Sequence, residues 1–239
     1  MSAALIIGAG DALGGAIARR FAREGLTACV VRRNGDQLVP LVEAIEAAGG
    51  RAVPFGADAR VEEVMVDLVD RIEADIGPIR VAVHNIGANV RFGIRETTAR
   101  VYRKVWEMCA FSAFLTGREA ARVMAPRSEG TILFTGATAS VRGGAGFAAF
   151  AGGKHAVRAL AQSMARELGP EGLHVAHSII DGPIDTAFIR DNFPEAYALK
   201  DQQGILDPDA IAEAYWQLHV QPRSAWTHEL DLRPWMEKF

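Results

Sequence analysis

The chain has 239 residues, 49% hydrophobic and 23% charged, with a formal net charge of −3, a globular profile with length to spare for a buried core. No basic block offers a nucleic-acid footprint, and no apolar run reaches membrane-spanning length. The opening MSAALIIGAG lacks the basic segment of a secretory signal, and Cys29 and Cys109 fall in apolar runs, so a cytoplasmic setting with reduced thiols is expected.

Short apolar, β-branched runs alternate with longer amphipathic ones. Strands are expected at 3–7, 28–31, 52–55, 81–85, 131–134 and 174–180, and helices at 14–24, 35–48, 60–76, 99–125 and 148–168. This alternation predicts an α/β fold, a doubly wound and mostly parallel sheet with helices on both faces. No linker or repeat divides residues 1–239, so one domain is expected. Residues 181–208 mix polar breaks with scattered aromatics. Ligands of such sheets bind beyond the strands' carboxyl ends, which makes 186–206 a candidate lid. A helix over 208–219 and a strand-like run over 225–232 close the chain.

The first strand runs directly into Gly8-Ala9-Gly10-Asp11-Ala12-Leu13-Gly14. A strict G-x-G-x-x-G would need glycine at position 13, where Leu13 stands. Gly8, Gly10 and Gly14, with small Ala12, still permit a tight turn and close backbone approach to a pyrophosphate on the N-terminus of helix 14–24. A tight strand–helix turn needs glycine even without a ligand. About twenty residues on, an NAD-type site carries an acid for the ribose 2′-hydroxyl. Here Arg32 and Arg33 end the second strand, and two guanidiniums suit a 2′-phosphate. NADP(H) is therefore favoured over NAD(H). Asp11 either faces that phosphate and repels it, or caps the helix.

In this order and spacing, the chain resembles the short-chain dehydrogenase/reductase family over essentially its whole length. Gly8-x-x-x-Ala12-x-Gly14 is similar to the T-G-x-x-x-[AG]-x-G loop, with Ile7 in place of threonine. Asp58-Ala59 sits where the family has an adenine-contacting aspartate. HNIG (84–87) resembles N-N-A-G and retains Asn85 and Gly87. DGPIDT (181–186) resembles P-G-x-x-x-T and retains Gly182 and Thr186, with Ile184 between them. The resemblance implies a Rossmann fold and a nicotinamide cofactor held at these positions, with Thr186 on the carboxamide. It also implies a small-molecule substrate, no metal, and a homodimer or homotetramer built on helices 99–125 and 148–168.

The family's chemistry uses an Asn–Ser–Tyr–Lys set, and here the match breaks. Phe150-Ala-Gly-Gly-Lys154 occupies Y-x-x-x-K, Ala137 takes the serine position beside Thr138, and Cys109 aligns with the asparagine. A phenyl ring gives no proton, and losing a general acid forfeits ~10²–10⁴ in rate, or roughly 3–5 kcal/mol. Lys154 remains. By the resemblance its ammonium binds the nicotinamide ribose; the plain alternative is that it snorkels to solvent. Cys109 reads most simply as a small core residue. Thr138, Ser140, Arg142, His155 and Asp181 are candidate substitute donors. His155 follows Lys154 and points about 100° away round the helix. Asp181 replaces the family's proline and reads as acid, base, substrate contact or turn cap. Two functions follow: a NADP(H)-dependent oxidoreductase with an altered site, or a silent NADP(H)-binding sensor, regulator or structural partner. An apo scaffold would leave the glycine loop and paired arginines without purpose.

Overall fold

The computed structural model describes residues 1–238. Seven strands, β1 (Ala3–Ile7), β2 (Thr27–Arg32), β3 (Arg51–Gly56), β4 (Ile79–His84), β5 (Gly130–Thr135), β6 (Leu173–Ile180) and β7 (Glu229–Leu232), form a sheet in the order β3-β2-β1-β4-β5-β6-β7. Every adjacent pair is parallel. β1 and β6 are buried along their whole length, as strands covered on both faces must be. β3 lies at an edge, where Pro54 is tolerated without a ladder donor.

Apolar faces of α3 (Glu62–Asp75), α5 (Ser112–Met124) and α6 (Ala148–Leu168) pack on one side of the sheet. α1 (Leu13–Arg23), α2 (Val39–Ala47) and α9 (Pro208–His219) cover the other, where Phe21 is fully buried and meets Trp216 edge-on at 5.5 Å. The doubly wound fold expected from the alternation is thus present.

Local chemistry moves several boundaries. Asn34 Oδ1 accepts from Asp36 N at 3.2 Å and starts a 3-10 turn over Gly35–Leu38, so the helix expected at 35–48 becomes that turn followed by α2. The long helix expected at 99–125 divides into α4 (Ala99–Trp106), a π turn over Glu107–Phe111, and α5. Ser112 Oγ donates to Met108 O at 2.6 Å across that turn, the back-bonding by which serine disturbs a helical ladder. The strand-like run 225–232 pairs only from Glu229, because Thr227 N donates to Gln221 Oε1 at 2.7 Å instead of to a strand.

Residues 186–206 hold α7 (Ala187–Asn192), α8 (Pro194–Tyr197) and a 3-10 turn at Lys200–Gln202. The base of this excursion is closed by Asp185 N to Leu206 O and Leu206 N to Pro183 O, both 2.8 Å.

Three histidines are folded in as neutral groups. Burial pushes His177 and His219 down to about 4 and His84 to about 3. Their unfolded values are near 6.5, so the folded state binds fewer protons than the unfolded chain below that pH. This stability is full above about pH 6.5 and falls with acidification at about 1.4 kcal/mol per pH unit for each histidine, until the folded value is reached. Urea unfolding at pH 8, 7, 6, 5 and 4 is expected to show a constant midpoint between 8 and 7 and a falling one below 6.5. A midpoint unchanged down to pH 4 would contradict this account.

Candidate active site

The strand order reverses between β1 and β4, and at such a reversal the two strand ends part to leave a crevice at the carboxyl edge. Two adjoining cavities of about 630 and 610 Å³ open there and share Gly8, Gly10, Asn85 and Gly87 in their walls.

The glycine loop forms the shared floor. Gly8 turns the chain at φ +86°, with its N–H and that of Ala9 both bonded to Val31 O at 3.0 Å. Asn85 Nδ2 donates to Gly8 O at 3.2 Å and fixes the loop against β4. A Cβ on Gly14 would run into the Gly8 carbonyl and lie 2.8 Å from Ala9 Cα, so only glycine lets α1 seat this close to β1. Gly10 and Gly87 differ: a Cβ on either meets nothing within 4 Å and would project into open space. No side chain caps α1, whose N-cap is Ala12. Its first N–H groups therefore lack intrahelical partners and offer donors beside the positive end of the helix dipole. The capping role open to Asp11 is thus excluded; Asp11 is exposed and lines the second cavity.

The first cavity is lined at its far end by Arg32 and Arg33 of the β2 end, with Asn34 and Gln37 beside them. Among the described residues neither guanidinium has a hydrogen bond or ion pair. Asp58 and Ala59, just past the end of the neighbouring strand β3, line the same cavity. Arg60 Nε and Nη2 grip the Asp58 carboxylate at 2.9 and 2.6 Å, and this guanidinium holds the Asp58 carboxyl below the usual range. Arg60 was not singled out by sequence reasoning. Its signal was available, a basic residue two positions after the aspartate.

The second cavity surrounds Lys154, which is 3% exposed, so the snorkelling alternative is excluded. Nζ donates to Thr135 O at 2.7 Å and Ile86 O at 3.1 Å, and burial pushes its pKa down. The Phe150 ring, one helical turn earlier and also in the wall, has its centroid 6.0 Å from Nζ. Ala12, Leu13, Gly14, Ala137, Thr138, Gly182 and Ile184 line the same space, as do Asn89, Arg142 and Phe147.

Five expected residues lie outside the walls. Cys109 is fully buried in the π turn behind Gly153, and desolvation pushes its thiol up; Met108 faces the first cavity instead. Thr186 Oγ1 accepts from Ile189 N at 3.1 Å as the N-cap of α7, which leaves the hydroxyl hydrogen uncommitted. Asp181 sits one step behind the second cavity, accepting from Thr138 Oγ1 and facing Arg233 Nη1 at 3.3 Å, and is no cap of the following turn. Ser140 Oγ accepts from Ala137 N at 3.1 Å, and His155 is exposed, its Nδ1 2.9 Å from Ala151 O. Behind the wall His84 Nε2 lies 2.8 Å from Ser112 Oγ.

The two kinds of glycine make a direct test. Gly14→Ala is expected to cost about 1–3 kcal/mol through overpacking against backbone, while Gly10→Ala stays within about 0.5 kcal/mol of the parent. Equal urea midpoints for the two variants would refute the packing argument.

Comparison with known proteins agrees with this geometry. A family model described as short chain dehydrogenase matches residues 2–196. Zerumbone synthase of Zingiber zerumbet is 33% identical over 174 residues, which is 72% of this chain and 65% of that protein, just under two thirds of its length. The crystal structure of a short-chain dehydrogenase from Rhodopseudomonas palustris is 49% identical, covers 98% of this chain and 99% of its own, and superposes with a TM-score of 0.85. A 7α-hydroxysteroid dehydrogenase complexed with NADH and 7-oxo glycochenodeoxycholic acid is 25% identical, covering 97% of this chain and 92% of its own at a TM-score of 0.87. With a reversing parallel sheet, a glycine turn at its first strand and a family match over most of its length, the chain belongs to the short-chain dehydrogenase family.

Proposed function

We propose that this chain is a NADP(H)-dependent oxidoreductase with an altered active site, in which Phe150, Ala137 and Cys109 stand where the family's tyrosine, serine and asparagine act. The observation that carries this reading is the continuity of the cleft. A cavity ending in two unpaired arginines runs past an open helix N-terminus into a cavity whose wall holds a buried ammonium. That sequence of donors suits a dinucleotide: Arg32 and Arg33 on a 2′-phosphate, the Gly8–Gly14 loop on the pyrophosphate, and Lys154 on the nicotinamide ribose. Asp58 and Ala59 flank the adenine end; Asn85, Gly87, Gly182 and Ile184 the nicotinamide end. The engagement of Asp58 by Arg60 also removes a carboxylate that would repel the phosphate. Bound there, the nicotinamide supplies or takes up a hydride.

The chain's own residues do the rest. Two of the three Lys154 donors are spent on Ile86 O and Thr135 O, which leaves one for a ligand. Residues 186–206 cover the substrate side as a lid, with Phe188 and Phe193 exposed on it. Exposed Trp106 of α4 and Phe114 of α5, with half-buried Phe111 of the π turn stacked between them, supply contacts for a homodimer or homotetramer in the cytoplasm.

One observation favours a second reading. Phe150 brings no hydroxyl to the cavity and Ala137 none beside it, so a silent nucleotide-binding sensor or structural partner also fits. Thermal shift with NADPH, NADP⁺, NADH and NAD⁺ tests nucleotide binding, and no response to any of them would overturn both readings. Replacing Arg32 and Arg33 together by alanine is expected to weaken NADPH about 10–100-fold, the worth of one or two charge-assisted hydrogen bonds, and to leave NADH unchanged; a parent that prefers NADH overturns the phosphate assignment. NADPH consumption over a carbonyl and enone panel, with NADPH formation over alcohols, separates the two readings. Turnover only in Phe150→Tyr would favour the silent one.

A further inference from the structure

Thr138 opens a 3-10 turn after β5 and lines the cavity around Lys154. Its Oγ1 donates to Asp181 Oδ1. The second carboxylate oxygen of Asp181 lies 3.3 Å from Arg233 Nη1, and the Asp181 N–H bonds to Leu232 O at 2.8 Å. The aspartate is 7% exposed and is held from behind by the end of β7.

A hydroxyl has one hydrogen and two lone pairs, and an ionised carboxylate only accepts. With the single Thr138 hydrogen committed to Asp181, what the threonine oxygen presents to the cavity is a lone pair. A carbonyl oxygen brought there meets acceptor against acceptor. An alcohol brings the missing hydrogen.

Resting on the oxidoreductase reading above, we propose that this site takes its substrate as an alcohol, the substrate hydroxyl donating to Thr138 Oγ1, and that the Thr138–Asp181 pair receives the proton lost on oxidation. The carbinol C–H bond breaks and its electron pair leaves with the hydrogen to an oxidised nicotinamide nucleotide. The substrate O–H proton passes to Thr138 Oγ1 as the threonine's own proton passes to Asp181 Oδ1. The former C–O single bond becomes a carbonyl, and Asp181 afterwards returns its proton to water. Hydride and proton together account for the two electrons and two hydrogens removed. Thr138 is the residue touching substrate; Asp181 acts through it, and Arg233 positions Asp181.

The test is the binding preference within matched pairs: 1-phenylethanol and acetophenone, 1-tetralol and 1-tetralone, cyclohexanol and cyclohexanone. Ligand-observed NMR titration of the full chain is run without nucleotide and in the unreactive pairings alcohol–NADPH and ketone–NADP⁺. The parent protein is expected to favour the alcohol by roughly tenfold, one hydrogen bond against one acceptor clash. Thr138→Val brings the ratio close to one, and Thr138→Ser keeps the preference. Asp181→Asn reverses it: the new amide turns its oxygen to Arg233 and its NH₂ to Thr138 Oγ1, which sends the threonine hydrogen into the cavity. Melting curves identify any variant that fails to fold. The proposal is overturned by a ketone preference, by equal binding, by no binding of any pair member, or by a preference that survives Thr138→Val. Alcohol preference without NADPH formation from NADP⁺ overturns the oxidoreductase reading and the proton step with it. Hydride transfer to ketones without alcohol preference overturns this proposal alone.

Discussion

The site is organised around one buried cation. Lys154 comes from the second turn of α6, and its ammonium reaches carbonyls at the ends of two strands, Thr135 O on β5 and Ile86 O just past β4. A charge with 3% exposure is tolerable only with close polar partners, and these two carbonyls are such partners. They bind the helix to the sheet at the level of the cleft. The small residues around Lys154 follow from the same demand. Gly153 lies so near Cys109 that a Cβ would approach the cysteine Cβ to 2.8 Å. A bulkier helix face would lift α6 away and strand the ammonium. The charge also acts on its surroundings, since it adds to burial in keeping His84 neutral.

Against that cation the Phe150 ring is electrostatically passive. Its centroid at 6.0 Å from Nζ is at the outer limit of a cation–π contact, and the ring has no proton for the ammonium to acidify. On the β5–β6 side of the second cavity Thr138 bonds to Asp181 and Asp181 pairs with Arg233.

What the sequence made legible was local. Apolar runs identify β1 to β6 because a buried parallel strand has no polar face to hide, and α6 and α9 fall where their apolar spacing puts them. The glycine turn is legible for a similar reason: Gly8, Gly10 and Gly14 act within one strand–helix connection. The π turn at Glu107–Phe111 was not legible, because it depends on Ser112 meeting both Met108 O and His84, a residue 28 positions away. Nor was the capping of α7 by Thr186, since a threonine before a short helix looks the same whether or not it serves the helix.

The clearest case is the DGPIDT segment. As sequence, Asp181 is a departure from a proline and Gly182 a retained glycine, two separate facts. In the fold they are one device. Gly182 sits at φ +142°, a region L side chains rarely adopt, and a Cβ there would lie 2.9 Å from Pro234 Cδ. The tight passage brings the segment after β7 against the end of β6, and with it Arg233, 52 residues on, to the Asp181 carboxylate. Proline at 181 would have removed both the carboxylate and the N–H that Leu232 O now receives. Exchanging that one residue therefore supplies the cavity wall with a backing acceptor and ties the last strand to it, a consequence that no spacing rule within the six-residue motif contains.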